Sequence, residues 1–539
     1  MFIRAKKSGS RKHPHRYLQI VESYRSDGTV RQRVIATLGR LGEMQASGEI
    51  EGLMRGLARF SETARVLSAC RESSVTGCRT RTWGPGLVFG RLWEQQGLPE
   101  VLEGLARGRR FRFDVGRVSF ALALQRLCDP GSDLQGSAWI DVVEAPGFRD
   151  IELHHLYRTV GWLAEVRAEL EGELFFRDRD LFTQELDLVF LDTTPTYIYR
   201  EQETGYARRG YSRDGRPELP QMVLCVAVDR KGWPIAWEVL PGNTSDVRAL
   251  AGAVEKLRHR FRIGRVSVVA DRGMLSRDTV ELLAGDRDAP FDYILGCRLR
   301  REREVRDDVL SRAGRYHEVS ANLKVKEVRV RGRRYIVCRN DEEAQKDAAA
   351  REAIVAQLKE RLARGRIKSV VGNAGFRRFL KGARGAWQID EEAVEEDARF
   401  DGVFVLQTNL ELDAAEVATT YKGLWRVERT FREEKSTLQI RPLYHHEDET
   451  RIGHIVASFL ALRLEIDLQR RLEDKGVTVG WRTLMRDLSR VQAVHIDLDG
   501  KTYRIRTDLE GAAHIAFQAA GVAIPSRVTA LDHEKSVVP

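Results

Sequence analysis

The fold of this 539-residue chain is decided by one stretch, LDAAEVATTYKGLWRVERTFREEKSTL, at residues 412–438. The stretch contains no proline and a single glycine, Gly423, and its apolar residues are separated by three, four or seven positions. That spacing predicts one amphipathic helix with a face against a core. The residues of the apolar face are Val417, Leu424, Val427, Phe431 and Leu438.

A second face of the same predicted helix carries polar chemistry. Tyr421, Glu428 and Lys435 recur every seven residues, which returns a side chain to nearly the same side of a helix. Trp425 and Arg432 lie beside this row. The row fits a site that holds a metal ion and a phosphate together. It fits equally well a solvent-exposed face stabilised by Glu–Arg pairs.

Composition indicates a globular protein with a polyanionic partner. The chain is 42% hydrophobic and 31% charged, and its 89 Lys and Arg exceed its 79 Asp and Glu by ten. Six scattered cysteines without a CxxC pair argue against structural zinc and against a disulfide framework, so we expect a reduced, cytoplasmic setting. Neither a membrane span nor a signal peptide is predicted.

Changes in patterning along the chain predict several regions, of which the central one is a mixed α/β sheet covered by helices. Strand-like runs alternate with helical ones there, and a β-rich, basic segment interrupts the alternation. The predicted regions are a flexible basic arm, a β-hairpin and a helix at 1–80, a helical module at 81–185, the α/β domain at 186–298 and 401–445, the insertion at 299–400, and a helical C-terminal region at 446–539.

Three acidic residues share a context within the α/β domain. Asp192 and Asp271 each end a predicted strand, and Glu428 lies on the helix that follows a third. Ligand sites gather at the carboxyl ends of such strands, and carboxylates without Cys or His suit Mg²⁺ or Mn²⁺. Two such ions can drive an in-line phosphoryl transfer. Asp229 and Asp246 are interpreted instead as a turn residue and a helix cap.

These residues resemble the DDE transposases of bacterial insertion sequences, in the branch with the signature Y-(2)-R-(3)-E-(6)-K. Tyr421, Glu428 and Lys435 keep its spacing, whereas Leu424 occupies the Arg position and Arg426 follows two residues later. The runs LDTT (191–194) and VADRG (269–273) look like the first and second acidic motifs of the family.

The resemblance implies an RNase H-like mixed sheet with flanking helices and a β-rich insertion, together with a mostly helical N-terminal module that binds DNA ends and a C-terminal helical region that dimerises. It implies metal ligation by Asp192, Asp271 and Glu428, with two Mg²⁺ or Mn²⁺ ions. The phosphate contacts it implies are Tyr421, Arg426 and Lys435.

The implied activity is cleavage of the element's inverted-repeat ends and strand transfer into target DNA, by a homodimer on double-stranded DNA at the bacterial nucleoid. The family also implies hairpin ends, for which Trp387 in the insertion is a candidate base-stacking residue. Two other functions stay open at this point: another RNase H-fold nuclease such as a junction resolvase, and a catalytically silent DNA-binding relative. The pair His445-His446 is interpreted as part of a turn rather than a metal site.

Overall fold

The structure is a computed structural model, and it describes most of the chain in two compact units. One unit comprises residues 1–88, 142–146 and 476–539, and the other comprises 89–141 and 147–475. The residues outside the description are 9–14, 27–28, 59, 62–76, 183–187, 200–201, 213–214, 257–266, 272–276, 285–290, 301, 365–370, 383–386, 429–437, 439–442, 444, 499–500 and 532–539.

The described elements are eighteen strands and seventeen α-helices, numbered here in chain order. The strands are β1 (Phe2–Ser8), β2 (His15–Ser26), β3 (Thr29–Arg40), β4 (Gly77–Thr82), β5 (Leu188–Tyr197), β6 (Gln221–Asp229), β7 (Pro234–Pro241), β8 (Ser267–Ala270), β9 (Asp292–Gly296), β10 (His317–Ser320), β11 (Leu323–Val330), β12 (Arg333–Arg339), β13 (Leu380–Lys381), β14 (Gln388–Ile389), β15 (Val403–Thr408), β16 (Gln492–Leu498), β17 (Lys501–Arg506) and β18 (Val528–Leu531). The helices are α1 (Leu41–Ser47), α2 (Glu49–Ala58), α3 (Gly84–Gln95), α4 (Leu98–Ala106), α5 (Val115–Cys128), α6 (Asp133–Ile140), α7 (Leu153–Glu165), α8 (Arg167–Phe182), α9 (Asp246–Glu255), α10 (Arg277–Ala284), α11 (Asp341–Ala363), α12 (Ala374–Arg377), α13 (Glu391–Ala398), α14 (Ala414–Lys422), α15 (Asp448–Asp474), α16 (Trp481–Ser489) and α17 (Ala513–Ala520).

The first unit contains two antiparallel sheets, β1-β2-β3 and β18-β17-β16-β4. The predicted β2–β3 hairpin is confirmed, although its turn residues Asp27 and Gly28 lie outside the described residues. The prediction of a flexible N-terminal arm is wrong for residues 2–8, which pair with β2 as strand β1. The reason is that Ile3 and Ala5 have apolar partners across the ladder, Ile20 and Leu18.

A nine-stranded sheet organises the second unit, in the order β10-β11-β12-β15-β9-β8-β5-β6-β7. Strands β5, β8 and β9 are parallel to one another, whereas β6, β7, β15 and β10–β12 join antiparallel. The prediction of a mixed α/β sheet is therefore confirmed. Both faces of β5 and β6 are buried almost throughout, which is usual for strands covered by helices on either side.

The β-rich segment at 299–400 is continuous with this sheet. Its strands β10, β11 and β12 extend the sheet from β15, with Ile336 of β12 opposite Leu406 of β15. Helix α11 and the short strands β13 and β14 follow, and they enclose a small apolar cluster around Leu358, Phe379 and Leu380. Trp387 is half-buried against this cluster, which favours packing over base stacking as its role.

Helix α15 is the central helix of the second unit's helical layer. It packs against α5 and α7, and its residues from Arg451 to Ile466 are buried without interruption. The buried Arg463 on this helix is paired, because its guanidinium donates to both carboxylate oxygens of Asp178 on α8 at 2.9 Å. Among the described residues, no helix is long and apolar enough to cross a membrane.

Candidate active site

The first two predicted acids lie next to each other in the sheet. Strands β5 and β8 are parallel, and their last registered pair is Leu191 with Ala270. Asp192 and Asp271 each come directly after a member of that pair. Neighbouring positions in parallel register point to the same face, so both carboxylates lie on one side of this edge. Asp192 is partly buried and Asp271 is exposed.

One detail of the prediction for Asp192 is wrong. This residue does not end its strand, because β5 continues for five residues, to Tyr197. The continuation is paired with β6 up to the pair Tyr197 and Gln221, and at its end the Leu443 N–H donates to the Tyr197 carbonyl oxygen at 3.4 Å. Asp192 therefore marks the point where the parallel ladder stops and an antiparallel one goes on. The backbone of Asp192 is paired on the side of β6, whereas the ladder with β8 ends one residue earlier.

A chain of hydrogen bonds fixes Asp192, and sequence reasoning missed it. The Thr193 backbone N–H donates to Asp192 Oδ1 at 2.7 Å. On the other face of β5, the Thr193 hydroxyl donates to Asp246 Oδ1, also at 2.7 Å. Asp246 was expected to cap a helix, but the cap of α9 is Ser245, whose hydroxyl accepts from Arg248 N–H. The side chain of Asp246 is instead directed to the strand that carries Asp192.

Asp229 behaves as the predicted turn residue. Its Oδ1 accepts from the backbone N–H groups of Lys231 at 2.8 Å and Trp233 at 2.7 Å, and so closes the β6–β7 turn. Burial raises the pKa of the Asp229 carboxyl, although those two N–H donors oppose the rise. Because both bonds serve the turn, we leave Asp229 out of the candidate site.

The stretch at 412–428 departs from the predicted single helix. Helix α14 ends at Lys422, and a separate helical turn covers residues 425–428. Between them the hydrogen bonds shorten to the i to i−3 pattern, from Gly423 N to Thr420 O and from Leu424 N to Tyr421 O. Residues 429–437, which include Lys435, lie outside the described residues.

Gly423 lies at this break, where packing leaves no room for a side chain. A Cβ at that position would come within 2.6 Å of Phe190 Cζ and 2.8 Å of the Thr420 carbonyl oxygen. Phe190 is fully buried on β5, two residues before Asp192. Glycine therefore lets the chain approach the strand of Asp192 more closely than any side chain would allow. The close approach sets the position of the turn that carries Glu428.

Tyr421 connects the second acid to the same helical segment. Its phenol O–H donates to Asp271 Oδ1 at 3.0 Å, and its ring stacks on Phe404 of β15 with centroids 6.0 Å apart. Glu428 follows seven residues later, where it is exposed and is the last described residue of the helical segment that begins at 425. The structure thus places Tyr421 at the edge of the sheet that carries Asp192 and Asp271. Glu428 lies further along the same segment.

Arg426 lies beside the beginning of β5 rather than beside Asp271. Its guanidinium carbon is 5.9 Å from the Phe190 ring centroid and 5.2 Å from that of Trp425. Together with the β6–β7 turn and the end of α15, Arg426 lines an open pocket of 470 Å³. Leu424 occupies the position of the signature Arg, and the replacement of that Arg by Arg426 stays a prediction.

Tyr421→Phe should lower the cleavage rate about ten-fold or less and raise the Mg²⁺ concentration needed for half-maximal rate, because Asp271 loses a donor that orients its carboxylate. The measurement is a Mg²⁺ titration of end cleavage. The substituted ring would still stack on Phe404, so the melting temperature should stay within about a degree or two of wild type. An unchanged Mg²⁺ dependence would contradict the orienting role.

Comparison with known proteins identifies the class. Residues 183–464 match the family model "Transposase DDE domain", and residues 3–69 match "IS1634 family transposase, N-terminal domain". The first match spans 282 residues (464−183+1) of 539, more than half of the chain. The chain therefore belongs to the DDE transposase family, and its residues 3–69 are similar to the N-terminal domain of IS1634 family transposases.

The solved structures that match include the "Mos1 transposase paired-end complex with left transposon end", at 14% identity and a TM-score of 0.15. That match covers 34% of this chain and 59% of the Mos1 chain. A search of curated proteins found no match.

Proposed function

We propose that this transposase cuts the inverted-repeat ends of its element and joins them to target DNA at the edge formed by Asp192 and Asp271, with Glu428 as the third acid. The single observation that carries the proposal is the parallel register of Leu191 with Ala270, which sets the two aspartates side by side. A junction resolvase or a silent DNA-binding relative has no comparable support.

The donor set fits hard divalent cations. Asp192, Asp271 and Glu428 would hold two Mg²⁺ or Mn²⁺ ions, since carboxylate oxygens are their preferred ligands. When bound, such ions activate an attacking water or hydroxyl and stabilise the leaving oxygen of an in-line transfer. We take the sheet around the three acids to be an RNase H-like core, in which a central strand and its parallel neighbour each supply one carboxylate.

Residues around the acids orient the carboxylates for this chemistry through hydrogen bonds. The Asp246–Thr193–Asp192 hydrogen bonds hold the first carboxylate in one orientation, and the Tyr421 hydroxyl does the same for Asp271. Orientation before the metal binds lowers the entropic cost of assembling the site. Tyr421 then has a positioning role, which differs from the direct phosphate contact that the family signature implies.

Two open pockets beside β5 supply candidate DNA contacts. One, of 340 Å³, is lined by Thr193 together with the exposed Tyr211 and the partly buried Arg298. The other is lined by Arg426 and by Trp425, whose side chain is half exposed three residues before Glu428. Arginine suits phosphate, and an exposed aromatic ring suits an unstacked base. The excess of basic residues over acidic ones favours the same partner.

The substrate we propose is the double-stranded DNA of the chromosome, so the enzyme would act at the nucleoid in the cytoplasm. A homodimer would hold two ends at once. Each freed 3′-hydroxyl would attack the phosphodiester of the opposite strand at the element's boundary, expel the 3′-oxygen of the flanking DNA and so seal the end as a hairpin. Water would then cleave the new phosphodiester and free the 3′-hydroxyl again. The same three carboxylates would serve each of these transfers in turn.

Incubation with a duplex of the element's end, nicked beforehand on one strand, tests this function. In Mg²⁺ we expect a slow-migrating, self-complementary product on denaturing gels, and in Ca²⁺ we expect binding without that product. An unrelated duplex with the same nick is the control, and it should stay uncut. If linear double-cut product alone appeared, the hairpin step would be wrong, but the proposed transposase activity would stand. Failure to cut any cognate end would contradict the proposed activity.

A further inference from the structure

Three side chains outside the catalytic edge converge inside the second unit. Asp133 is the first residue of α6, His445 lies in the segment before α15, and His454 is on α15 itself. Asp133 and His454 are buried, and the His445 side chain is only 12% exposed. One potential ligand atom from each lies within 4.8 Å of the other two. Sequence reasoning interpreted His445 as part of a turn; one of its partners, Asp133, lies 312 positions away in the chain (445−133).

The spacing of these atoms is that of a transition-metal site. His445 Nε2 lies 3.7 Å from Asp133 Oδ2 and 3.3 Å from His454 Nδ1. Ligands on a tetrahedral zinc ion, bound at about 2.0–2.1 Å, are roughly 3.3–3.5 Å apart. These two separations differ from that spacing by only a few tenths of an ångström, and the third, between the ligand atoms of Asp133 and His454, is within 4.8 Å.

The carboxylate of Asp133 offers a buried oxygen to this cluster. Its Oδ1 accepts from Arg126 Nη2 at 2.9 Å, and Arg126 also donates to the Gly131 carbonyl, so the carboxylate is held in place. Its Oδ2, which faces His445, is buried and has no hydrogen-bond partner within the described residues. An unsatisfied carboxylate oxygen in a protein interior is costly unless something binds it.

Both imidazoles of the cluster lie in the protein interior. Burial lowers the pKa of His454 far below its usual value, and the nearby charge of Arg126 adds to the effect. Burial also lowers the pKa of His445, although Asp133 opposes the decrease.

We propose that Asp133, His445 and His454 form a binding site for one zinc-like transition-metal ion, separate from the catalytic carboxylates. Two imidazoles and one carboxylate favour Zn²⁺, Co²⁺ or Ni²⁺ over Mg²⁺ or Ca²⁺, which need more oxygen ligands. The buried guanidinium of Arg126 makes a doubly charged ion more costly here, and ions that bind imidazole strongly can offset that cost. This inference does not depend on the proposed DNA chemistry.

The ion would tie together three parts of the second unit. Asp133 belongs to the helical module, and His454 belongs to the central helix α15. His445 follows Leu443, which bridges to Ile198 just beyond the end of β5. The Arg451 guanidinium also donates to the His445 carbonyl oxygen at 3.0 Å, so the segment is already fixed. A metal at this point would stabilise the connection between the helical layer and the strand of Asp192.

Metal retention by the untagged full-length protein tests the site. The protein is stripped with a chelator, loaded with Zn²⁺ in millimolar Mg²⁺ so that the catalytic carboxylates carry Mg²⁺, gel-filtered, and assayed by mass spectrometry for metal. Wild type should retain about one Zn²⁺ per chain and melt at a higher temperature than the stripped protein. His445→Gln and Asp133→Asn should retain little or none and lose the thermal shift.

Two variants keep this test distinct from the proposed activity. His446→Gln changes the neighbouring exposed histidine and should retain zinc as wild type does. Asp271→Asn should lose cleavage but also retain zinc. If Asp271→Asn lost the zinc and His445→Gln kept it, the ion would belong to the catalytic edge and the new site would be wrong. Absence of zinc from stripped and reloaded wild type would overturn the proposal as well.

Discussion

Asp192→Asn, Asp271→Asn and Glu428→Gln are each expected to lower the cleavage rate by about a hundred-fold or more, the scale seen when one group that stabilises a transition state is lost. Each substitution keeps the size of the side chain and removes one ligand charge. The affinity for Mg²⁺ should therefore fall far more than the stability of the fold. The measurement is single-turnover cleavage of cognate ends in Mg²⁺, with end binding followed by gel shift. Binding should stay close to wild type.

Glu416→Gln is the matched control for these variants. Glu416 is exposed on α14, twelve residues before Glu428 (428−416), and its substitution also removes one negative charge from the same segment. It should cleave at the wild-type rate. If one of the three carboxylate variants did the same in Mg²⁺, with folding confirmed by its melting temperature, that residue would have no place among the metal ligands.

Gly423→Ala is expected to have the second largest effect, through geometry rather than charge. The added Cβ would lie 2.6 Å from Phe190 Cζ and 2.8 Å from the Thr420 carbonyl oxygen, so the segment must move away from β5. Overpacking of this kind typically costs about 1–3 kcal/mol of stability. Because the segment carries Glu428, we expect cleavage to fall about ten-fold or more, a displacement effect of the kind that weakens catalytic positioning.

Gly161→Ala is the matched control for Gly423→Ala. Gly161 lies within α7, and a Cβ there meets nothing within 4 Å. This change should raise the melting temperature slightly, since alanine is the better helix former by about 1 kcal/mol. Phe190→Leu combined with Gly423→Ala should recover part of the lost activity by relieving the contact. Wild-type cleavage by Gly423→Ala would show that the close approach to Phe190 does not position Glu428.

Local patterning was sufficient for several features of this protein. Alternation of strand-like and helix-like runs predicted the mixed α/β sheet, and the two β-prone runs before residue 40 predicted the β2–β3 hairpin. The spacing of Tyr421 and Glu428, with two aspartates after apolar runs, led to the transposase family. These signals succeed because the period of a strand or a helix, and the turn residues between them, are written in neighbouring residues.

Other features depend on residues that meet only in the folded chain. The lack of space for a side chain at Gly423 follows from the ring of Phe190, which lies 233 positions away (423−190). The Thr193–Asp246 hydrogen bond and the pairing of β12 with β15 likewise join distant segments. The clearest case is the cluster of Asp133, His445 and His454, where no single residue stands out in the sequence. The periodicity of a sequence does not predict such contacts, because they arise from the register of strands and the packing of helices across the whole unit.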